Sequence, residues 1–387
     1  MILKNDNFLE SGVSGLLKTF LDHDSPLYVQ YYITARCNLR CQQCNVIYAN
    51  SNVPEASTEK TIKAIENLGK IGTNVLLFTG GEPFVRSDLP VLVKKAIENG
   101  MHPRIQTNGL ASVRALEECV ESGVRDISIS LDSLVEPEQD FLNGEFENSW
   151  ETAINTISNV TNIFPNDAFC ALGCVFSPKN FQNVRNVISF ADQIGWWVSL
   201  VPAHSTSPTE PRSFSTFDRA MLFDESNITS ALNELDLIIA MKKSGSNVYD
   251  SYEYLENVKL FIQQKPIKWR RKNENVCDSP NLYFAVLPDA SLAPCCDWRL
   301  SQTIDVSNFD FPEKYKSKAV SKAVLPIVKS CSGCMYGSYP EISISARFIS
   351  AALERFTEFV SGTRPAIQPK TTEELKMIIA RILANGS

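Results

Sequence analysis

Between about Leu27 and Ala203 one pattern recurs six times: a short apolar run, a turn, and a helical stretch. The runs Leu27–Thr34, Asn74–Thr79, Arg104–Thr107, Asp126–Leu131, Phe169–Phe176 and Trp196–Val201 read as strands. Helical periodicity covers Ser57–Ile71, with Ile62, Ile65 and Leu68 on one face, and Leu89–Asn99, which stops at Gly100. Further helical stretches end at Gly123, span Trp150–Val160, and end near Gly195. Parallel strands need a crossover between them, and a helix is the usual one. Six β-then-α units in series therefore predict an α/β fold: a parallel sheet curled into a partial (β/α)6, TIM-like barrel. Chemistry in such barrels gathers at the C-terminal ends of the strands.

The residues suited to chemistry fall at those ends. The first strand runs into Cys37-Asn38-Leu39-Arg40-Cys41-Gln42-Gln43-Cys44. Spacings this short bring three thiolates to one point, one fewer than a fully ligated four-iron cluster takes. Cysteines this close also make structural zinc sites, but those need a fourth ligand. No Cys or His lies between Cys44 and His102. Strand two stops at Gly80-Gly81-Glu82-Pro83, strand three at Thr107-Asn108-Gly109, and strand four at Ser130 and Asp132. Each alone reads as a turn or a capping residue. Their shared position on one rim points to a site.

Eight further cysteines follow. Cys277, Cys295, Cys331 and Cys334 have metal-type spacing, with Leu282–Val286 and Pro288–Leu292 reading as a hairpin between them. A four-cysteine zinc site accounts for the spacing as well as a cluster does, and Cys296 competes with Cys295 as the ligand. Cys119 reads as a small core residue. Cys170 and Cys174 share one face of strand five. They are core residues if that face meets the helices, and candidate site residues if it points into the barrel. With three histidines in the chain, chemistry built on His bases has little to draw on.

The cysteine run, its lead-in Thr34-Ala35-Arg36, and the Gly80-Gly81-Glu82-Pro83 turn resemble the radical S-adenosylmethionine (SAM) superfamily. The resemblance implies that Cys37, Cys41 and Cys44 hold a [4Fe–4S] cluster whose open iron chelates SAM. It implies reductive cleavage of SAM to a 5′-deoxyadenosyl radical that takes a hydrogen atom from substrate. Gly80, Gly81 and Glu82 then serve the methionine end of SAM, with Glu82 accepting from its ammonium, and Asn108, Ser130 and Asp132 line its pocket. Gln43 departs from the pattern, which favours an aromatic residue packed near the adenine, and Tyr48 is a candidate substitute. The C-terminal cysteines resemble the twitch module, the short form of the SPASM extension. This implies an auxiliary [4Fe–4S] cluster on Cys277, Cys295, Cys331 and Cys334, and a flavodoxin- or ferredoxin-type electron donor.

The expected organisation is a lead-in (1–26), the barrel (27–215), a helical connector (216–276), the cluster module (277–334) and C-terminal helices (335–387). The last part contains helical patterns at Ile349–Val360 and Glu373–Ala384, with a capping box from Thr371 to Glu374. A net charge of −7 gives no footprint for nucleic acid, and no apolar stretch approaches the roughly 20 residues of a membrane span. The N-terminus lacks a signal-peptide layout, so a cytoplasmic protein is expected. An auxiliary cluster able to accept an electron favours net oxidation, by dehydrogenation or bond formation. The short lead-in favours a small-molecule substrate. The other readings are peptide or sugar modification, including epimerisation through Cys170 or Cys174, and a non-enzymatic iron–sulfur or zinc protein. Arg212, after strand six, is a candidate at the substrate mouth.

Overall fold

The computed structural model describes residues 25–44, 52–203, 219–269, 277–360 and 366–385. Six parallel strands lie side by side in chain order: β1 (Tyr28–Thr34), β2 (Val75–Gly80), β3 (His102–Thr107), β4 (Asp126–Ser130), β5 (Phe169–Phe176) and β6 (Trp197–Pro202). β7 (Tyr283–Val286) continues the sheet, pairing parallel with the free edge of β1, and β8 (Leu292–Ala293) pairs antiparallel with β7. The expected hairpin is therefore present. It extends the barrel wall, giving an eight-stranded sheet ordered β6-β5-β4-β3-β2-β1-β7-β8.

Helices α1 (Thr58–Lys70), α2 (Leu89–Glu98), α3 (Val113–Glu121), α5 (Ser149–Ile163) and α6 (Val184–Ile194) cover one face of the sheet; α4 (Glu136–Leu142) is a short helix beyond β4. The helices start where the sequence offers caps. Ser57 and Ser112 accept from the Lys60 and Ala115 amides, satisfying donors that a helix start leaves open. Ala64, Ile65 and Leu68 of α1, Leu92 and Val93 of α2, and Ile154 and Ile157 of α5 form the main core. They pack on alternate strand residues: Val29, Tyr31 and Ile33; Leu76 and Phe78; Ile127 and Ile129. Period-two alternation sends the remaining strand residues to the concave face.

The C-terminal part closes over that concave face. Helices α7 (Ile228–Lys243) and α8 (Tyr252–Ile262) follow β6; α9 (Phe311–Lys316), α10 (Ala319–Ser330), α11 (Ser338–Arg347), α12 (Ile349–Val360) and α13 (Thr372–Asn385) follow β8. On α11, Tyr339 stacks on Tyr283 of β7 with centroids 4.7 Å apart, and Ser338 Oγ lies 3.4 Å from Tyr28 Oη of β1. All seven β1 residues are consequently buried, the mark of a strand covered on both faces. The capping box at α13 forms as expected: the Glu374 amide donates to Thr371 Oγ1 and the Thr371 amide to Glu374 Oε2. Among the described residues, no helix is long and apolar enough to cross a membrane.

The Tyr254 hydroxyl of α8 lies 3.0 Å from the Leu200 carbonyl of β6 and 3.1 Å from the Met335 carbonyl before α11. Tyr254→Phe strips these buried carbonyls of their donor and is expected to cost about 1–3 kcal/mol. Denaturant unfolding checks this; an unchanged midpoint would show that the hydroxyl does not tie α11 to the barrel.

Candidate functional site

The strand registers define a lumen on the concave face. There Tyr32 lies beside Thr79, Gln106 beside Ser128, Ser130 beside Gly173, and Gly173 beside Ser199. Gln106 is exposed although it sits mid-sheet, and Ser128, Ser130, Val175 and Val201 are half-buried. This face borders open space. Its N-terminal end is closed by Asp126, held 2.9 Å from His102 Nε2 and 3.5 Å from Arg104 Nε, with the Arg104 guanidinium 4.7 Å above the Phe169 ring. The C-terminal end carries the residues singled out from sequence.

At that rim β1 opens into the cysteine loop. The Gly81 amide donates to the Thr34 carbonyl and the Glu82 amide to the Arg36 carbonyl, both at 2.8 Å. So close an approach has no room for a side chain: a Cβ at Gly81 would stand 2.1 Å from the Arg36 carbonyl oxygen, and one at Gly80 2.4 Å from that of Thr34. The glycine pair therefore locks β2 to the base of the cysteine loop. From sequence, its role was to make room for SAM.

Glu82 is fully buried. Its Oε1 accepts from Phe84 N at 3.0 Å and Thr107 Oγ1 at 2.8 Å, and its Oε2 from Asn108 N at 2.7 Å. Burial pushes its carboxyl up to about 7 against the pull of these donors. The carboxylate that the sequence reading assigned to a ligand ammonium anchors the end of β3. From there Asn108 Nδ2 reaches Asn38 Oδ1 at 2.7 Å and Cys37 Sγ at 3.7 Å.

The third cysteine is tied to β4 and β5. Gln43 Nε2 donates to Asp132 Oδ2, and the Val175 amide to Asp132 Oδ1, both at 2.6 Å. Burial raises the Asp132 carboxyl to about 6. The residue that departs from the family pattern thus has a buried carboxylate as its partner. Ser130 sits half-buried on the lumen face, beside Gly173. The segment after α4 forms the other wall of the loop and escaped the sequence reading. Asn143 Oδ1 lies 3.4 Å from Cys41 Sγ, the Gln42 amide donates to the Leu142 carbonyl, and a Cβ at Gly144 would stand 2.3 Å from the Arg40 carbonyl oxygen. The Asn-Gly dipeptide was the available turn signal.

The three thiols are close enough to act on one another. Burial pushes Cys37 up to about 11 and Cys41 well above the usual thiol range, and Cys44 and Cys37 both add to the shift at Cys41. Activated nucleophilic cysteines have the opposite environment, with depressed pKa values beside cations. Sheltered neutral thiols that must lose their protons on binding a cation fit a metal or cluster ligand set.

The second group behaves alike. Burial raises Cys277 to about 11 and Cys295 and Cys334 well above the normal range; Cys334 responds to Cys331 and Cys277, and Cys295 responds to Cys334. Cys277 and Cys295 pack on the same lumen-facing cluster of Tyr28, Leu77, Tyr283 and Tyr339. Cys296 packs in a neighbouring cluster with Tyr32, Ala35 and Ala285 and also responds to Cys295 and Cys334, whereas Cys295 packs with Cys277 on the Tyr28 cluster. Among the described residues no three Cys, His, Asp or Glu side chains close on a single-ion site.

Cys170 and Cys174 do not face the lumen. Cys170 pairs with Ile127 and Cys174 with Leu200, and both are buried in the main core under the helices. Strand alternation puts Ala171, Gly173 and Val175 inward instead, which removes these cysteines as hydrogen-atom donors. Cys119 is a core residue, as expected. Tyr48 and Arg212 lie outside the described residues.

Residues 31–191 match the radical SAM superfamily. The chain is 32% identical over 174 residues to the Fe-coproporphyrin III synthase of Methanosarcina barkeri, covering 44% of this chain and 41% of the relative. It is 31% identical over 109 residues to the PqqA peptide cyclase of Granulibacter bethesdensis, covering 28% and 29%. The chain therefore spans less than half of these relatives. Its fold is similar to that of Streptococcus suis SuiB (TM-score 0.60, 14% identity, 86% of this chain and 79% of that one). It is also similar to anSMEcpe with bound AdoMet and the Cp18Cys peptide (TM-score 0.56, 13% identity, 93% and 99%).

The raised Glu82 carboxyl has a measurable consequence. A folded-state pKa above the unfolded one adds stability that is fully present below the unfolded value of about 4.3 and is lost as pH rises through about 7. In Glu82→Gln this titration is gone and an amide NH2 must face a donor. The variant is expected to be less stable by about 1–3 kcal/mol, with the gap to wild type widest near pH 4 and narrowing until about pH 7. Denaturation across that range checks this, and a gap that widens with pH would contradict the assigned burial.

Proposed function

We propose, on the match of residues 31–191 to the radical SAM superfamily, that Cys37, Cys41 and Cys44 hold a [4Fe–4S] cluster at the rim of the lumen and that SAM binds beside it. Bound there, cluster and SAM supply a carbon radical that takes a hydrogen atom from substrate. The remaining work belongs to this chain's own residues. The Gly80–Glu82 backbone fixes the cysteine loop against β1. Glu82 sets the position of Asn108, whose amide reaches Cys37 and Asn38 and faces the methionine end of the cofactor. Gln43 and Asp132 hold the far side of the loop, and Asp132 and Ser130 border the nucleoside end. Cys277, Cys295, Cys331 and Cys334 hold an auxiliary [4Fe–4S] cluster, and residues 277–334 form a twitch-type module whose strands are built into the barrel sheet.

One observation carries the reading. Two groups of sheltered, mutually coupled thiols border the same lumen, one at the C-terminal end of β1 and one against Tyr28, Leu77 and Tyr283 on the concave face. An electron acceptor beside the lumen supports net oxidation of substrate, by dehydrogenation or bond formation. The lumen wall between the groups is polar, with Thr79, Gln106, Ser128 and Ser199, the last bonded to the buried Asp250 carboxyl, and suits hydroxyl- or amide-bearing substrates. A small molecule is the first reading. Peptide modification is the second, and the PqqA peptide cyclase match and the peptide-bound anSMEcpe neighbour favour it. The electron that starts turnover comes from a flavodoxin- or ferredoxin-class donor.

Two variants separate the roles of the thiol groups. Cys41→Ala is expected to abolish formation of 5′-deoxyadenosine from SAM in anaerobically reconstituted, reduced protein. Cys331→Ala is expected to retain it while losing about four of the irons, as a [4Fe–4S] cluster on four cysteines requires. Chromatography of the nucleoside and iron analysis check both. Retained cleavage in Cys41→Ala would overturn the assignment of the first group. Unchanged iron in Cys331→Ala would overturn that of the second.

A further inference from the structure

Cys296 is a fully buried thiol that the proposed cluster ligands leave unused, and it ends a line of phenols. Tyr336 packs against the cluster that holds it, and the Cys296 Sγ lies 3.4 Å from Asp297 Oδ1. The Tyr336 hydroxyl is 3.5 Å from that of Tyr32, which donates to Gln30 Oε1 at 3.1 Å. Tyr32 and Gln30 are concave-face residues of β1 and are buried, whereas Tyr336 is partly exposed and packs on both lumen-facing clusters. The line therefore runs from the partly exposed Tyr336 to a sealed thiol behind it.

We infer that Tyr336 and Cys296 form a hydrogen-atom relay that quenches a carbon radical left in the lumen without a substrate. The inference rests on the reading of the chain as a radical SAM enzyme. Phenol O–H and thiol S–H bonds are weaker than alkyl C–H bonds, so an unclaimed carbon radical takes hydrogen from them downhill. The alternative targets on the same face are the backbone at Gly173 and the side chains of Val175 and Val201, and attack there damages the protein. In the first step the carbon radical forms a C–H bond with the hydrogen of Tyr336, leaving a phenoxyl radical. In the second the phenoxyl takes the Cys296 hydrogen, restoring the phenol and leaving a thiyl radical. One electron from the flavodoxin- or ferredoxin-class donor and one proton, delivered past Asp297, then restore the thiol.

The test is turnover of the holoenzyme in deuterium oxide with SAM, reduced flavodoxin, no substrate and no added thiol. Wild type is expected to give 5′-deoxyadenosine carrying solvent deuterium at the 5′-carbon, read by mass spectrometry. In Tyr336→Phe that deuterium is lost. In Cys296→Ala the first transfer still occurs, and an organic-radical signal of tyrosyl shape builds up by electron paramagnetic resonance. Iron content matches wild type in both variants. Product without deuterium from wild type, or deuterium retained in Tyr336→Phe, overturns the relay. Iron lost from Cys296→Ala also overturns it, by making Cys296 a ligand. No 5′-deoxyadenosine from any protein overturns the radical SAM reading itself and the relay with it.

Discussion

The site depends on the seam between β1 and β2. Two backbone hydrogen bonds, from Gly81 to Thr34 and from Glu82 to Arg36, join the strand ends at a separation that only glycine permits. The seam fixes where the cysteine loop begins. It also drives the Glu82 carboxylate into the protein, where it meets the end of β3, and so determines where Asn108 can reach. Arg86, three residues past the turn, donates to the Ile33 and Ala56 carbonyls and ties the same seam to the segment that leads into α1. Geometry set by steric exclusion in this way does not depend on long, floppy side chains, which suits a loop whose three thiols must converge.

Around the seam the structure shelters its thiols and its carboxylates. Burial, followed by neighbouring thiols, pushes Cys37, Cys41 and Cys334 toward the protonated form. A positively charged cluster core bound there would reverse that balance, making binding and ionisation one event. The same logic applies to the second group, whose surroundings are aromatic: Tyr28, Tyr283, Tyr336 and Tyr339. Dry apolar walls raise the strength of every electrostatic contact inside and keep reactive intermediates from water.

Much of this was legible in the sequence because it follows from periodicity and turn chemistry. The six parallel strands, the helices on one face, the rim positions of the three motifs and the capping box at Thr371 are local patterns, and local patterns survive into the fold. Three things were not legible. Which face of β5 points inward depends on register with β4 and β6, so Cys170 and Cys174 could be aimed only by assumption, and the register sends them to the helices. The pairing of β7 with β1 spans about 250 residues of chain and leaves no local mark. The Gln43–Asp132 bond joins two positions that each looked like a separate deviation or a turn residue; only the closed barrel brings them together.

The central claim is that one lumen is bordered by two iron–sulfur clusters, one of which serves SAM. Its most direct test is anaerobic reconstitution of the wild-type chain, followed by iron and sulfide analysis and reduction in the presence of SAM. The account predicts about eight irons and eight sulfides per chain, two four-iron clusters on three and four cysteines, together with 5′-deoxyadenosine. Stoichiometric zinc, with little iron and no nucleoside formed, would contradict it.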